Sequence, residues 1–165
     1  MGQLIGLVDY GELTPPNNQA NADGDHALVL MFQPNLGGWS QTIGSFCAKS
    51  ATPGKLLALL IMKAIICLEQ CGAIVTSTVC DGSSSNKSAL TELGISGVRK
   101  RLKNTFKNPV SDQDIFVLID MPHALKCVRN MLMKAKIFKV IQGAWISGGL
   151  FPSYFKNQLT ILQLK

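Results

Sequence analysis

Two aspartates, Asp81 and Asp120, each close an apolar run and each precede a stretch that reads as helix. Asp81 follows the run Ala73–Cys80 and opens "DGSSSN"; Asp120 follows "DIFVLI" and opens "MPHALKCVRN". Carboxylates at the ends of two neighbouring parallel strands emerge on the same edge of a sheet, where open α/β folds collect ligands and metals. Asp81 is therefore a candidate metal ligand and catalytic acid, with Asp120 as a second candidate ligand. The competing use is simpler: each aspartate can cap the helix after it. The turn Gly82–Ser85 is flexible and rich in hydroxyls, so a large ligand could approach Asp81. After Asp120, His123, Lys126 and Arg129 recur at three-residue spacing along one helix stripe, and Lys126 and Asn130 form an i, i+4 pair. Cations beside a carboxylate suit a phosphodiester, with a metal on the acid and the bases on the backbone phosphates.

The charge distribution points the same way. The net charge is +6 over 165 residues, yet residues 1–98 hold four Lys or Arg against seven Asp or Glu, and residues 99–165 hold twelve against three. The densest cations lie in "VRKRLKNTFKNP", which contains Arg99, Lys100, Arg101, Lys103 and Lys107. Such a basic half fits a polyanionic partner as well as it fits a solvated surface.

These residues need a scaffold, and the sequence describes one. Leu4–Tyr10 and Ala27–Gln33 read as strands separated by the loop "TPPNNQANADGD", with a further extended piece over Ser40–Ala48. The helix from Pro53 has Thr52 as its expected N-cap and Gly72 as its left-handed C-cap; apolar residues surround it almost completely from Leu56 to Leu68, which predicts burial on most sides. The strand ending at Asp81 follows, then a short helix from within Ser83–Asn86 to Leu93, stopped by Gly94. A strand over Asp114–Asp120 and a helix from Met121-Pro122 to about Lys136 complete the series. Antiparallel strands followed by alternating helices and strands predict a mixed α/β sheet.

The segments "LIGLVDYG", "HALVLMFQPNLGGWSQTIGSF", "VCDGSSSNKSALTELGI" and "LIDMPHALKCVRN" together resemble the RNase H-like domain of P element type transposases, including the transposase-derived proteins that carry THAP zinc modules. The resemblance covers about residues 3–136 and is most specific where an Asp-Gly-x-x-x-Asn strand end is followed by a Pro-His-x-x-Lys-x-x-Arg-Asn helix. It implies an RNase H-like mixed sheet flanked by helices, and metal-dependent DNA cleavage and strand transfer with three acids holding two Mg2+ ions. Asp81 matches the second of those acids. The resemblance also implies DNA as partner and nuclear localisation; the charge pattern makes Arg99, Lys100, Arg101, Lys103, Lys126 and Arg129 candidate nucleic-acid contacts, with His123 and Asn86 as accessory candidates.

The departures are as informative. The family's first catalytic aspartate lies on a strand before the segment matching "QLIGLVDYG", and Asp9 is not that residue; the third acid, a glutamate, lies downstream of a GTP-binding insertion that has no counterpart here. Neither does the zinc module have one. The expected organisation is thus a partial RNase H-like domain over residues 1–136 and a divergent tail over residues 137–165. The first strand, which the resemblance makes the central one of the sheet, is expected to be missing from between Leu4–Tyr10 and Ala73–Cys80, so that those strands either pair directly across a shortened sheet or expose apolar edges. A transposase fragment inactive by itself is the leading reading. A degenerate module that binds nucleic acid or a full-length transposase, by self-association or otherwise, is the second, and an unrelated α/β enzyme using Asp81, Asp120 and His123 is the third.

Five cysteines without a Cys-x-x-Cys pair favour free thiols, with Cys67 and Cys71 expected in the core rather than on a metal. The opening "MGQLIGLVDYGEL" lacks the pattern of a secretory signal, and Leu56–Leu68 is too short to span a bilayer, so no membrane is expected as partner and the nucleus or cytoplasm is expected as location.

Overall fold

The computed structural model describes residues 6–13, 22–134 and 158–164. The alternating run His26–Gln33 forms β3, with Leu28, Leu30 and Phe32 buried on one face, and it pairs antiparallel with β4, Gln41–Ala48. Their register slips between Leu30 and Met31, whose partners are Gly44 and Thr42, so Ile43 is an extra residue that bulges the outer strand. Ahead of this hairpin, β1 (Gly6–Leu7) and β2 (Asp23–Gly24) make a separate two-stranded ribbon.

Helix α1, Gly54–Gln70, lays Leu57, Ile61 and Ile65 into the core with at most 1% exposure. Its outer face is less covered than the sequence suggests, since Leu59 is 57% exposed. Its start also differs: Pro53 is the N-cap and Leu57 N–H donates to the Pro53 carbonyl, while the Thr52 hydroxyl is buried without a partner among the described residues. Its end is as expected. Gly72 adopts φ +80°, its N–H donates to the Glu69 carbonyl and the Ala73 N–H to the Leu68 carbonyl, a Schellman closure that only a residue tolerant of positive φ forms cheaply. The Glu69 carboxylate then accepts from Val75 N–H at 2.9 Å and from Asn108 Nδ2 at 2.7 Å, fixing the end of α1 to the lead-in of the next strand and to a distant turn.

That strand, β5, is shorter than its apolar run, spanning Ser77–Cys80. It is followed by α2, Ser84–Glu92, with Gly94 at φ +81° closing it as Gly72 closes α1. The basic segment contains a 3-10 turn, Arg99–Arg101, and a three-residue strand that the sequence did not announce, β6 (Thr105–Lys107). Strand β7, Asp114–Ile119, pairs antiparallel with β6 and parallel with β5; α3, Met121–Lys134, leaves from its end.

The last element changes the expected sheet. Gln158–Leu164 form β8, which lies between β3 and β5, antiparallel to the first over seven paired residues and parallel to the second over four. The six-stranded order is β4-β3-β8-β5-β7-β6. The central position is therefore filled, by a strand from the segment expected to be a divergent tail. The facing edges of β3 and β5 are both paired, so the expected exposed edges are not found at these strands. The strand beside the centre is also not Leu4–Tyr10. Among the described residues that stretch supplies the two residues of β1, paired with the ribbon partner Asp23–Gly24, and Asp9 bridges to Cys47 of β4.

The cysteines are free among the described residues, as expected, but Cys67 and Cys71 are exposed. They line a cleft of about 340 Å3 between the end of α1 and the β3–β4 hairpin, together with Ile43, Phe46 and Lys63. No helix among the described residues is long and apolar enough to cross a membrane.

Candidate nucleic-acid interface and carboxylate site

Parallel pairing of β5 and β7 aligns Cys80 with Ile119, so Asp81 and Asp120 stand at corresponding positions just past the two strand ends, and the Asp120 N–H donates to the Cys80 carbonyl at 2.8 Å. The sequence expectation of two carboxylates on one sheet edge holds.

Asp81 is held in place by the turn it opens. Its Oδ1 accepts from Ser83 N–H at 2.8 Å and from Asn86 Nδ2 at 2.7 Å. Gly82 takes φ +71°, which turns the chain sharply enough for the Ser83 amide to point back. Ser83 is the N-cap of α2 and its hydroxyl accepts from Asn86 N–H at 3.4 Å, so Asn86 serves both cap and carboxylate. Partial burial acts to raise the Asp81 pKa, but the Ser83 amide, the Asn86 amide, the Ser83 side chain and the positive potential of His123 together leave it below its ordinary value. Beside it, burial pushes the Cys80 thiol up, with the Asp81 charge adding to the effect against the opposing Gly82 amide. The capping expectation therefore does not hold for Asp81, because Ser83 takes that place on α2; Asp81 Oδ1 is committed to the turn, and Oδ2 carries no such bond among the described residues.

Asn86 is 2% exposed and its Oδ1 is a buried acceptor without a partner among the described residues. Ser85 donates to the Thr52 carbonyl at 2.7 Å, locking the first turn of α2 to the start of α1. Gly54 lies so close that a Cβ there would meet Ser88 Oγ at 2.2 Å and Ala89 N at 2.9 Å. The two helices thus set the carboxylate turn rigidly on the sheet.

The basic segment precedes β6. Because β6 runs antiparallel to β7 with Thr105 opposite Phe116, the chain before Thr105 extends toward the end of β7 that bears Asp120. Arg99, Lys100, Arg101 and Lys103 are all exposed, and Lys103 is tied by paired backbone bonds to Ser96. A cleft of about 390 Å3 lies between this segment, α2 and β7, bordered by Lys87, Lys103, Leu102 and Ile119. Lys87 lines this cleft and was not singled out by sequence reasoning, although its position next to Asn86 on a helix rooted at Asp81 could have suggested it. On α3, Lys126 and Arg129 are exposed and His123 is half-buried; Arg129 donates to Asn130 Oδ1 at 3.1 Å. Among the described residues, no three His, Cys, Asp or Glu side chains come together as a metal-binding group.

Comparison with known proteins places this arrangement. Residues 1–94 match the family model described as TNP-like, RNase H N-terminal domain. The solved Drosophila P element transposase strand transfer complex is similar in structure, with a TM-score of 0.54 and 25% identity, over 78% of this chain and 27% of that one. This chain therefore spans about a quarter of the length of that transposase. No curated protein matches it. With the family model covering more than half of its residues, the chain belongs to the TNP-like RNase H family, and its mixed sheet is an RNase H-like portion of a P element-like transposase.

Proposed function

We propose that this chain contributes a DNA-binding edge to P element-like transposition in the nucleus, and that it does not cut DNA by itself. The observation that carries the reading is the carboxyl edge: Asp81 and Asp120 stand just past the ends of adjacent strands, and the segment ahead of β6, with Arg99, Lys100, Arg101 and Lys103 exposed, leads into β6 from the side of that same end of β7. A phosphodiester backbone passing this edge would meet cations flanking a fixed carboxylate. Lys126, Arg129 and His123 would extend the contact along α3, and Asn86 would hold Asp81 in position. The likeness to a transposase strand transfer complex supports DNA as the polyanion.

The two-Mg2+ arrangement implied by the family does not fit the described residues. In the central strand, β8, the residue paired with Cys80 is Ile161, and Gln158–Leu164 contain no acid at all. Asp81 has one carboxylate oxygen already engaged, and among the described residues Asp120 is its only acidic neighbour at a strand end on this edge. Two ions about 4 Å apart need more anionic oxygens than these to be held together. Asp81 and Asp120 could share a single Mg2+, and cleavage would await acids supplied by a longer transposase, which is the natural protein partner of such a module.

The test is a supercoiled plasmid incubated with the purified chain in Mg2+ or Mn2+. Binding that weakens steeply with salt, without nicking, is expected. Metal-dependent nicking that disappears in Asp81→Asn would show a complete site, and the reading would fail; salt-indifferent binding would remove its electrostatic basis.

A further inference from the structure

The sheet consists of two halves, β4-β3 and β5-β7-β6, and among the described residues no backbone pairing joins them except through β8. The joining strand is late in sequence and central in space. We propose that the cleft between β3 and β5 is a strand-binding site that accepts Gln158–Leu164 from a second copy of this chain, giving a strand-exchanged dimer.

Three observations carry this. First, every backbone pair that β8 makes is with residues distant in sequence: Ala27–Gln33 on one side and Ser77–Cys80 on the other. No hairpin with a sequence neighbour fixes which copy of the segment must enter. The same pairs form whether the strand arrives from its own chain or another, so exchange sacrifices no hydrogen bond of the ladder.

Second, residues 135–157 connect α3 to β8. The covalent reach of twenty-three residues is at most roughly 76–83 Å, an upper limit farther than the width of a domain this size, so covalent geometry does not confine the strand to its own molecule. The tether's advantage is an effective concentration in the millimolar range or below. Exchange becomes competitive as the chain concentration during folding approaches that value.

Third, the segment "QLTILQL" contains no charge, no proline and no glycine. It carries neither the like-charge repulsion nor the backbone interruptions by which proteins discourage pairing between chains. Its identity suits a strand paired on both edges, and nothing in it discriminates self from non-self.

The register supplies the test. Met31 of β3 pairs with Thr160 of β8. Full-length Met31→Cys and Thr160→Cys proteins, mixed in equal amounts, unfolded together and refolded at roughly 0.1–1 mM, should yield a disulfide-linked heterodimer under mild oxidation. Each variant refolded alone should show at least severalfold less, and the heterodimer should rise with refolding concentration. The doubly substituted chain serves as the internal standard, since it should lock within one molecule on dilute refolding. If the double variant locks but the mixture gives no heterodimer above the single-variant background, β8 enters only its own chain and the proposal is overturned. If the double variant does not lock either, β8 does not pair with β3 and the proposal fails at its premise.

Discussion

Asn86 Nδ2 donates to Asp81 Oδ1 at 2.7 Å while its own Oδ1 remains a buried acceptor without a partner among the described residues. One residue thus stabilises a carboxylate and is itself half satisfied. The usual cost of leaving a buried polar atom unpaired is tolerated here beside the charge that defines the edge.

The pH dependence of stability follows from this pair. The Asp81 pKa is lowered from 3.8 in the folded protein despite partial burial, because the Ser83 and Asn86 donors and His123 favour the charged form. A depressed carboxylate stabilises the fold fully above its unfolded value and loses that contribution as pH falls through the lower folded value. Urea denaturation of wild type and Asp81→Asn should therefore differ most above pH 3.8 and converge below it. Asn86→Ala should cost about 1–3 kcal/mol and move the convergence upward in pH. Curves that remain parallel at all pH values would show that Asp81 is not coupled to folding.

The packing of the two helices that carry this turn is equally open to test. A Cβ at Gly54 meets the Ser88 side chain and, at 2.9 Å, the Ala89 backbone nitrogen, which cannot rotate away. Gly54→Ala should destabilise by about 1–3 kcal/mol, although alanine is ordinarily the better helix former. Adding Ser88→Gly should restore only part of the loss, since the backbone clash remains. A neutral or stabilising Gly54→Ala would place α1 farther from α2 than the structure has it.

The basic turn is predicted to act through charge alone. Reversing Arg99, Lys100, Arg101 and Lys103 to glutamate should weaken duplex binding uniformly across sequences and lower the salt slope by about one for each phosphate that the protein no longer neutralises. Fluorescence anisotropy over a salt series measures both. All four residues are exposed, so thermal unfolding should change little, and His123→Ala should reduce binding less than the quadruple reversal.

Much of this site is legible in the sequence because it is built from local signals. Gly72 and Gly94 end their helices where expected, and the apolar run before Asp81 is long enough to identify a strand end whatever surrounds it. The partnership of Asp81 with Asp120 follows from the handedness of a strand-helix-strand unit. What is not legible depends on distant partners. Strand β6 is three residues inside a basic stretch and exists because β7 is there to pair with it. Cys67 lies in an apolar run that looks buried on most sides and Cys71 one helical turn beyond it, yet both are exposed and line the cleft beside the hairpin. The strand Gln158–Leu164 is the extreme case, since an uncharged heptapeptide can be placed in a sheet only by knowing which edges are vacant.

The position of that strand sets a timetable for the ribosome. The β3–β4 hairpin and the β5-β7-β6 unit are synthesised well before β8, and Leu30 and Ile161, which pair in the finished sheet, are separated by roughly 130 positions in sequence. At ordinary elongation rates the passage from Lys134 to Gln158 takes about 1–5 s. Throughout that interval the nascent protein presents two facing, unfilled ladder edges that nothing already translated completes in the final arrangement. Folding of this domain is therefore a closing event timed by translation, and the interval before closure is when holdase chaperones, proteases and neighbouring nascent chains compete for it.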